Sequence, residues 1–236
     1  MQWSTIEQQL INRGLQPHQA RELIWGAISS ETLIISLAAP MAENQLLEGD
    51  IPHENILASV RAMIGSGLII TMPAAVSEEN TPPTLFAYAQ IIAATRETLY
   101  LISPYIDDKG VGKLFSPLQE AKERGVYLKV ITRETAKHQL SRTRGIEALF
   151  SMFSRQIEVR DYHTEAKGLA HHTSVHAKLI QADNQIGYVG SAELRGNALE
   201  KNFEMGAILS PEQAALSLAS FKAVWEIARK VVPRNK

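Results

Sequence analysis

Apolar residues recur along the chain with two different spacings, and the spacing changes near residue 84. Before that point they fall three or four residues apart, which predicts helices over residues 6–13, after Pro17 and after Pro52. After it, helical stretches alternate with short runs of β-prone residues. The predicted helices of this second part span 85–96, 111–124, 137–153 (interrupted near Gly145) and 211–231, and its predicted strands span 98–103, 126–132, 156–160, 174–182, 185–190 and 205–209.

Strands that alternate with helices predict an α/β domain with a mixed β-sheet flanked by helices. A hairpin around Asp183 and Asn184, residue types that favour tight turns, makes at least one strand pair antiparallel. The segment Pro73–Pro83 has three prolines and few large apolar residues, which is typical of a linker. The expected organisation is a small, mainly helical N-terminal domain (1–75), a linker (76–83) and the α/β domain (84–236).

The predicted N-terminal domain has two structural interpretations. Its short helices are followed by Gly67–Met72, which could form a short strand, and this order also suits a winged-helix module. Because no predicted helix there is rich in basic residues, we interpret the domain as a packing or partner-binding unit.

The composition is that of an ordinary globular protein, with 45% hydrophobic and 21% charged residues. The chain has no cysteine, which excludes disulfides and thiolate metal sites and suits a reducing compartment. The first ten residues form neither a basic nor an apolar region, so we expect no secretory signal. The longest apolar run, 33–42, is shorter than the roughly 20 residues that cross a bilayer. We therefore expect a cytoplasmic protein that does not insert into membranes.

The formal net charge of −1 and the pI near 6.7 argue against binding of nucleic acid through the overall field of the protein. Any recognition of phosphate must then be local. A candidate basic cluster consists of Arg133, Lys137, His138, Arg142 and Arg144, with Arg133 as the candidate substrate-binding residue. The alternative is that these charges only keep a helix face solvated.

The sequence HAKLIQADNQIGYVGS, residues 176–191, carries the strongest chemical signal. In an extended segment His176 and Lys178 point to one face, which sets an imidazole beside a fixed cation. That pair suits attack on a phosphate ester. The Gly190–Ser191 step offers a close backbone approach and a hydroxyl donor to the same anion. This chemistry needs no metal and no cofactor, so the pattern predicts metal-independent cleavage of phosphodiesters.

A zinc site built on His171, His172 and His176 is an alternative use of this region. On a strand, His172 and His176 would lie about 13 Å apart, at about 3.3 Å per residue, which is too far for easy shared ligation. No cysteine or carboxylate nearby completes a ligand set, so we expect no metal.

Residues 176–191 resemble the HKD motif of the phospholipase D superfamily, in which a histidine, a lysine, an aspartate and a Gly-Ser pair recur at this spacing. The sequence NFEMG, residues 202–206, is similar to the stretch that follows the motif, and the strand 99–103 with Pro104 resembles the opening strand of such domains. The resemblance covers about residues 84–230. It implies a phospholipase D/nuclease-like fold.

The resemblance also implies a role for each matching residue. His176 would be the nucleophile that forms a phosphohistidine, or the general acid for the leaving alcohol. Lys178 and Ser191 would hold the non-bridging phosphate oxygens. Glu204 would accept a hydrogen bond from the other ring nitrogen of His176. Asp183, the remaining candidate catalytic residue, would mainly support the turn.

Glu193 and Asn202 are further candidate substrate-binding residues. The superfamily has an asparagine at the position of Glu193, two residues after Ser191. A carboxylate there repels a phosphate unless it turns away, pairs with a cation such as Arg195, or is protonated. The substitution therefore predicts either a retuned site or weakened activity.

The implied mechanism needs two histidines, and His176 alone begins a His-x-Lys sequence. The simplest solution is a homodimer in which His176 of each subunit faces the other across a two-fold axis, as in single-motif members of the superfamily. The alternative is that His171 or His172 assists within one subunit.

The resemblance implies a phosphodiesterase, and the small single-motif form is most similar to bacterial nucleases, with DNA as the expected substrate. In length and layout the chain also resembles the phospholipase-D-like proteins of the DISARM anti-phage system, which implies other defence-system proteins as partners. Two alternatives are a phospholipid hydrolase or transferase, and a non-catalytic subunit that only binds nucleic acid or a partner.

Overall fold

The computed structural model describes residues 67–71, 84–133, 135, 140–165 and 172–233. The described strands are β1 (Leu68–Thr71), β2 (Thr98–Ile102), β3 (Tyr127–Thr132), β4 (Ile157–Asp161), β5 (His163–Glu165), β6 (His172–Ser174), β7 (Lys178–Ala182), β8 (Ile186–Gly190), β9 (Glu204–Leu209) and β10 (Arg229–Val231). The described helices are α1 (Thr84–Ala94), α2 (Asp108–Lys113), α3 (Phe115–Glu123), α4 (Leu140–Phe153), α5 (Gly196–Glu200) and α6 (Pro211–Ile227). The predicted N-terminal helices and the predicted linker lie outside the described residues.

A mixed sheet forms the centre of the described part of the chain, in the strand order β1-β9-β8-β7-β2-β3-β4-β10. Strands β2, β3 and β4 run parallel to one another. The other neighbouring pairs of this sheet are antiparallel, including the predicted hairpin of β7 and β8. Strands β5 and β6 form a separate antiparallel pair. The predicted α/β fold with a mixed sheet flanked by helices is confirmed.

Helices cover both faces of the sheet, and each face has its own apolar core. Side chains from α1 to α5 pack on one face, against residues such as Leu101, Val130 and Ile180. Helix α1 lies wholly within this core, because every one of its residues is buried. On the opposite face, Phe221 and Trp225 of α6 form the second core. Burial on both sides fixes the ends of the strands, where the candidate residues lie.

Strand β1 is an edge strand of this sheet, although its residues fall within the predicted N-terminal domain. Residues Leu68–Thr71 pair with Glu204–Ala207 of β9 in antiparallel register. A strand of four residues has no stability of its own and forms where a sheet edge offers partners. Residues Leu68–Thr71, which the prediction assigns to the N-terminal domain, therefore lie in the sheet of the α/β domain.

The helix predicted over 111–124 is two helices, α2 and α3, which meet at Leu114. Pro117 explains the break, because proline lacks the amide hydrogen that would bond to the carbonyl of Lys113. Helix α2 also begins earlier than predicted. Its start is set by Asp107, whose side chain caps the first turn.

Two other helices differ from their predicted forms. Helix α4 runs through Gly145 without the predicted interruption. A Cβ at Gly145 would lie 2.6 Å from the carbonyl oxygen of Ile106, so this glycine allows close packing and does not end the helix. Helix α6 ends at Ile227, and the last residues of the predicted helix, Arg229–Val231, form β10 beside β4.

Candidate active site

The histidine and the lysine of the HAK sequence lie where β7 begins. The predicted strand starts at residue 174, but sheet pairing begins only at Lys178, opposite Gly190 of β8. His176 precedes the strand in an irregular segment and is exposed, whereas Lys178 is buried, with 8% of its surface accessible. A buried ammonium requires polar or negatively charged neighbours, and the groups around this strand end supply them.

The Lys178 ammonium is held against His176 by two contacts. It donates a hydrogen bond to the His176 carbonyl oxygen at 2.9 Å, and its Nζ lies 3.4 Å from Nδ1 of the ring. The predicted neighbourhood of imidazole and cation is thus present, although His176 is not itself in the strand. Nε2 of the ring has no hydrogen-bond partner among the residues that the structure describes, so it is the ring nitrogen left for a substrate.

Ser191 and Glu204 lie together, directly after β8 and at the start of β9. The Ser191 hydroxyl donates a short hydrogen bond to Oε2 of Glu204 and accepts one from Met205 N–H at 3.0 Å. Asn202 Nδ2 donates to Oε1 of Glu204 at 3.3 Å. Both carboxylate oxygens of Glu204 therefore bind polar neighbours on the adjoining chain segments. The predicted hydrogen bond between Glu204 and the His176 ring is not formed within the described part of the subunit.

Two glycines of the site make room for an aromatic ring. Gly190 and Gly206 face each other across β8 and β9, and a Cβ on either would overlap the Tyr188 side chain. Tyr188 is fully buried and meets Tyr88 of α1 edge to face, with ring centroids 5.3 Å apart. The structure thus gives Gly190 a packing role in place of the predicted close approach to an anion. The Gly-Ser step still matters, because the absence of a side chain at Gly190 leaves room for the Tyr188 ring, which packs beneath the end of the strand that leads to Ser191.

Glu193 lies in the loop between β8 and α5, mostly buried beside the cations of the site. Its Oε1 is 4.0 Å from Lys178 Nζ, and its Oε2 is 3.8 Å from Arg195 Nη1. Burial raises the pKa of the Glu193 carboxyl above its ordinary value. Three cations oppose this effect and lower the same pKa: Lys178, Arg195 and Arg133. The sequence left three ways to accommodate this carboxylate: it could turn away, be protonated or pair with a cation. The structure shows pairing with cations.

The loop that carries Glu193 is held by residues that lack a motif in the sequence. Asp107 Oδ1 accepts a hydrogen bond from Gly196 N–H at 3.0 Å, and its other oxygen lies 3.6 Å from Arg195 Nε. Ser103 Oγ accepts a hydrogen bond from Leu194 N–H at 2.9 Å. An aspartate just before a helix is a recognisable N-cap, so Asp107 had a sequence signal as a cap but none as a support for this loop.

Arg133 follows β3 and lies within electrostatic range of the same site. Its guanidinium donates to Tyr105 Oη at 2.6 Å and to Ser174 Oγ at 3.0 Å, and it lies over the Tyr105 ring at 4.8 Å from the centroid. Its positive charge lowers the pKa of the Glu193 carboxyl, which links Arg133 electrostatically to the other candidates. Elsewhere in the predicted basic cluster, Arg144 is exposed on α4, and nothing is described of the side chains of Lys137, His138 and Arg142.

Asp183 lies at the opposite end of β7 from Lys178, in the turn to β8. Its φ of 50° is in the left-handed region, which aspartate tolerates better than most residues. Its carboxylate accepts hydrogen bonds from the backbone N–H groups of Arg96, Glu97 and Thr98 at 2.9, 3.0 and 2.7 Å. The structure thus separates Asp183 from the other candidate catalytic residues and gives it a position that supports the turn.

Replacement of Asp183 by Ala is expected to lower the free energy of unfolding by about 1–3 kcal/mol, because the three backbone amides lose their acceptor. Any cleavage per folded molecule should not change. The measurement is chemical denaturation, together with a cleavage assay far from the unfolding midpoint. Asn184→Ala, at the exposed neighbouring position, is the matched control and should cost less than about 0.5 kcal/mol. Lost cleavage at unchanged stability would instead indicate a catalytic role for Asp183.

The described residues contain no group of three or more His, Cys, Asp or Glu side chains that could hold a metal ion. Of the alternative zinc ligands, His171 lies outside the described residues, and for His172 only the backbone, in β6, is described. Across the same described ranges, no helix is long and apolar enough to cross a membrane.

The mixed sheet and the cluster at the ends of β7, β8 and β9 define a class of protein, the phospholipase D/nuclease-like α/β domains. A family model described as "Cardiolipin synthase, PLD-like domain" matches residues 88–225. Because this match covers more than half of the chain, the chain belongs to the phospholipase D superfamily, in this family of PLD-like domains.

Several solved structures are similar to this chain. NucT from Helicobacter pylori is 18% identical with a TM-score of 0.53, and the match covers 63% of this chain and 91% of NucT. Nuc from Salmonella typhimurium, a phospholipase D family member, is 19% identical with a TM-score of 0.47, over 63% of this chain and 88% of Nuc. Phosphatidylserine synthase from Haemophilus influenzae is 13% identical with a TM-score of 0.52, over 70% of this chain and 39% of the synthase. At these identities the similarity to NucT and to the synthase shows the fold alone. A search of curated protein sequences gave no match.

Proposed function

We propose that this protein is a metal-independent phosphodiesterase that cleaves nucleic acid, with DNA as the expected substrate, through a phosphohistidine at His176. The observation that carries the proposal is the contact between the buried Lys178 ammonium and the exposed His176 ring, 3.4 Å apart. A nucleophile beside a fixed cation suits a phosphodiester, because the cation stabilises the charge that builds on the non-bridging oxygens. Membership of the superfamily supports this reading of the contact.

In the proposed reaction, Nε2 of His176 attacks phosphorus, and the bond from phosphorus to the leaving oxygen breaks. The leaving oxygen takes a proton from a second histidine. Water then attacks the phosphohistidine, gives a proton to that second histidine, and releases His176. Lys178 holds a non-bridging oxygen through both steps, and the Ser191 hydroxyl turns from Glu204 to hold another when the phosphate binds. The attacking ring must have Nε2 free of its proton, so its Nδ1 carries the proton and Lys178 keeps only its hydrogen bond to the His176 carbonyl oxygen. The donating ring must carry a proton on Nε2.

A homodimer supplies the second histidine in this proposal. The described contacts of His176 and Lys178 include no other histidine side chain. His176 is exposed, so a two-fold axis beside it could bring the two rings to opposite sides of one phosphate. Assistance from His171 or His172 within one subunit remains the alternative arrangement.

Nucleic acid is the proposed substrate because the site combines cations with an aromatic face. Arg133 lies over one face of the Tyr105 ring and lowers the pKa of Glu193, and a guanidinium stacked on an aromatic ring suits a nucleotide next to the cleaved phosphate. The resemblance in length and layout to the phospholipase-D-like proteins of DISARM supports a role in anti-phage defence. That role would take place in the cytoplasm and with other defence proteins as partners.

A non-catalytic role in nucleic-acid binding is a second candidate function, and one observation favours it. The Glu193 carboxylate lies 4.0 Å from the Lys178 ammonium and so partly neutralises the positive charge that would bind a phosphate. If the carboxylate prevents the phosphate from settling against Lys178, the site could bind nucleic acid through Arg133 and Arg195 without turnover.

A cleavage assay with EDTA present tests the proposal on single- and double-stranded DNA, RNA and phospholipid vesicles. The wild-type protein should cleave DNA, and Lys178→Ala should cleave it at least about 100-fold more slowly. Lys129→Ala is the matched control and should cleave as the wild type does. The Lys129 ammonium lies 5.3 Å from the ring of Trp225, a core residue of α6, and so contacts a different part of the protein.

Three other results of this assay would contradict the proposal. Cleavage that EDTA removes and a divalent ion restores would show a metal-dependent enzyme. Binding of DNA without turnover would support the non-catalytic candidate. Release of lipid headgroups without cleavage of nucleic acid would show a phospholipid hydrolase or transferase.

A further inference from the structure

The Glu193 carboxylate stands where a phosphate would meet the cations of the site. One oxygen faces Lys178 at 4.0 Å, and the other faces Arg195 at 3.8 Å. A bound phosphate presents its oxygens to cations in the same way. The side chains of Glu193 and Lys178 are only 16% and 9% accessible, so this is a desolvated pair and not a loose surface contact.

The backbone that carries Glu193 is fixed to the segment after β2. Leu194 N–H donates to Ser103 Oγ at 2.9 Å, and Leu194 O accepts from Asp107 N–H at 3.1 Å. Arg195 is drawn to the same Asp107, at 3.6 Å. Because the residues directly after Glu193 are anchored, its carboxylate stays within reach of Lys178 when a substrate arrives.

We propose that Glu193 is a specificity-determining residue that makes the site discriminate against phosphates of higher negative charge. The inference rests on the proposed function, in which Lys178 binds the phosphate. Glu193 competes with the incoming phosphate for Lys178 and Arg195, and the repulsion grows with the charge of the phosphate. A diester inside a nucleic acid carries one negative charge, whereas a terminal monoester carries about 1.5 to 2 at neutral pH. The site therefore accepts internal diesters and rejects terminal phosphates.

Two ligands that differ by about one charge test this inference. 4-Nitrophenyl sulfate and 4-nitrophenyl phosphate share an aryl group and a tetrahedral head, but at pH 8 they carry one and about two negative charges. Calorimetry gives their affinities for proteins that all carry His176→Asn, so that no turnover occurs. In addition to His176→Asn, these proteins carry no further change, Glu193→Gln, Glu193→Asn, Lys178→Ala, or Glu97→Gln. The last is the matched control, because Glu97 is an exposed carboxylate beside the Asp183 turn.

We expect Glu193→Gln to tighten binding of the aryl phosphate about 10-fold more than binding of the aryl sulfate. Glu193→Asn, which removes the charge with a shorter side chain, should shift the ratio of affinities in the same direction, and Glu97→Gln should leave it unchanged. An unchanged ratio in both Glu193 variants, with Lys178→Ala still weakening both ligands, would overturn the inference and leave the proposed function standing. Binding that is absent, or that Lys178→Ala does not weaken, would remove the anion site on which the proposed function itself rests.

Discussion

Replacement of His176 by Asn is expected to lower the rate of phosphodiester cleavage by at least about 1,000-fold, because removal of a catalytic nucleophile usually costs that much or more. Asparagine keeps a polar side chain but cannot form a phosphohistidine. Because His176 is exposed and precedes β7, the variant should keep the unfolding midpoint of the wild type. The measurement is single-turnover cleavage of DNA with EDTA present. Substantial residual cleavage by a folded His176→Asn protein would contradict the proposed nucleophile.

The same variant tests whether two subunits share a site. Wild-type and His176→Asn chains with different tags are co-expressed, and the mixed dimers are purified. If each phosphate needs His176 from both subunits, mixed dimers are as inactive as the variant itself. Activity in the mixed dimers at half the wild-type level, or a monomeric wild-type protein with full activity, would show that one subunit is sufficient.

Replacement of Gly110 by Ala is expected to lower the free energy of unfolding by about 1–3 kcal/mol, the usual cost of inserting a methyl group into a packed site. A Cβ at Gly110 would lie 2.5 Å from the Leu194 carbonyl oxygen and 2.7 Å from Arg195 N. Both atoms are backbone, so the clash cannot be relieved by a rotamer change. The loop before α5 must move, and cleavage should fall together with stability because Glu193 and Arg195 move with it.

Gly112→Ala is the matched control for this prediction. Gly112 lies in the same helix, but a Cβ there would meet no atom within 4 Å. The same substitution should therefore be neutral or raise stability by up to about 1 kcal/mol, because alanine is the better helix former. Chemical denaturation of both variants measures the difference. Equal effects of the two substitutions would show that contact with the Leu194 backbone does not constrain the site.

The longer elements of the fold could be predicted because each carries its own pattern. The run at 98–103 is apolar enough to indicate a buried strand, and Asp183 with Asn184 indicates a turn, from local chemistry alone. The short strands β5, β6 and β10 could not be found in this way. Each has three residues and is recognised only by its pairing with another strand. In the sequence, Arg229–Val231 continues the helical pattern of α6, and only its pairing with β4 shows that it is a strand.

The candidate site was predictable where it rests on spacing and not where it rests on contacts between distant segments. His176 and Lys178 are two residues apart, and the structure brings them together. The partners of Glu204 depend on how β8 and β9 lie side by side, so the sequence could not show that it binds Ser191 and Asn202. The support from Ser103 to Leu194 spans 91 residues and leaves no local pattern. Such contacts follow from the topology of the sheet.

Strand β1 also changes the meaning of the segment that follows it. The Thr71 hydroxyl at the end of β1 donates to the Thr84 hydroxyl at 2.7 Å, and Thr84 N–H donates back to the Thr71 hydroxyl at 2.9 Å. Thr71 and Thr84, the residues on either side of segment 72–83, are thus hydrogen-bonded to each other. Because its two ends are hydrogen-bonded to each other, the cost of closing this loop changes only slowly with its length. The contact between β1 and α1 is made by Thr71 and Thr84 themselves, so an insertion between these two residues should leave it in place.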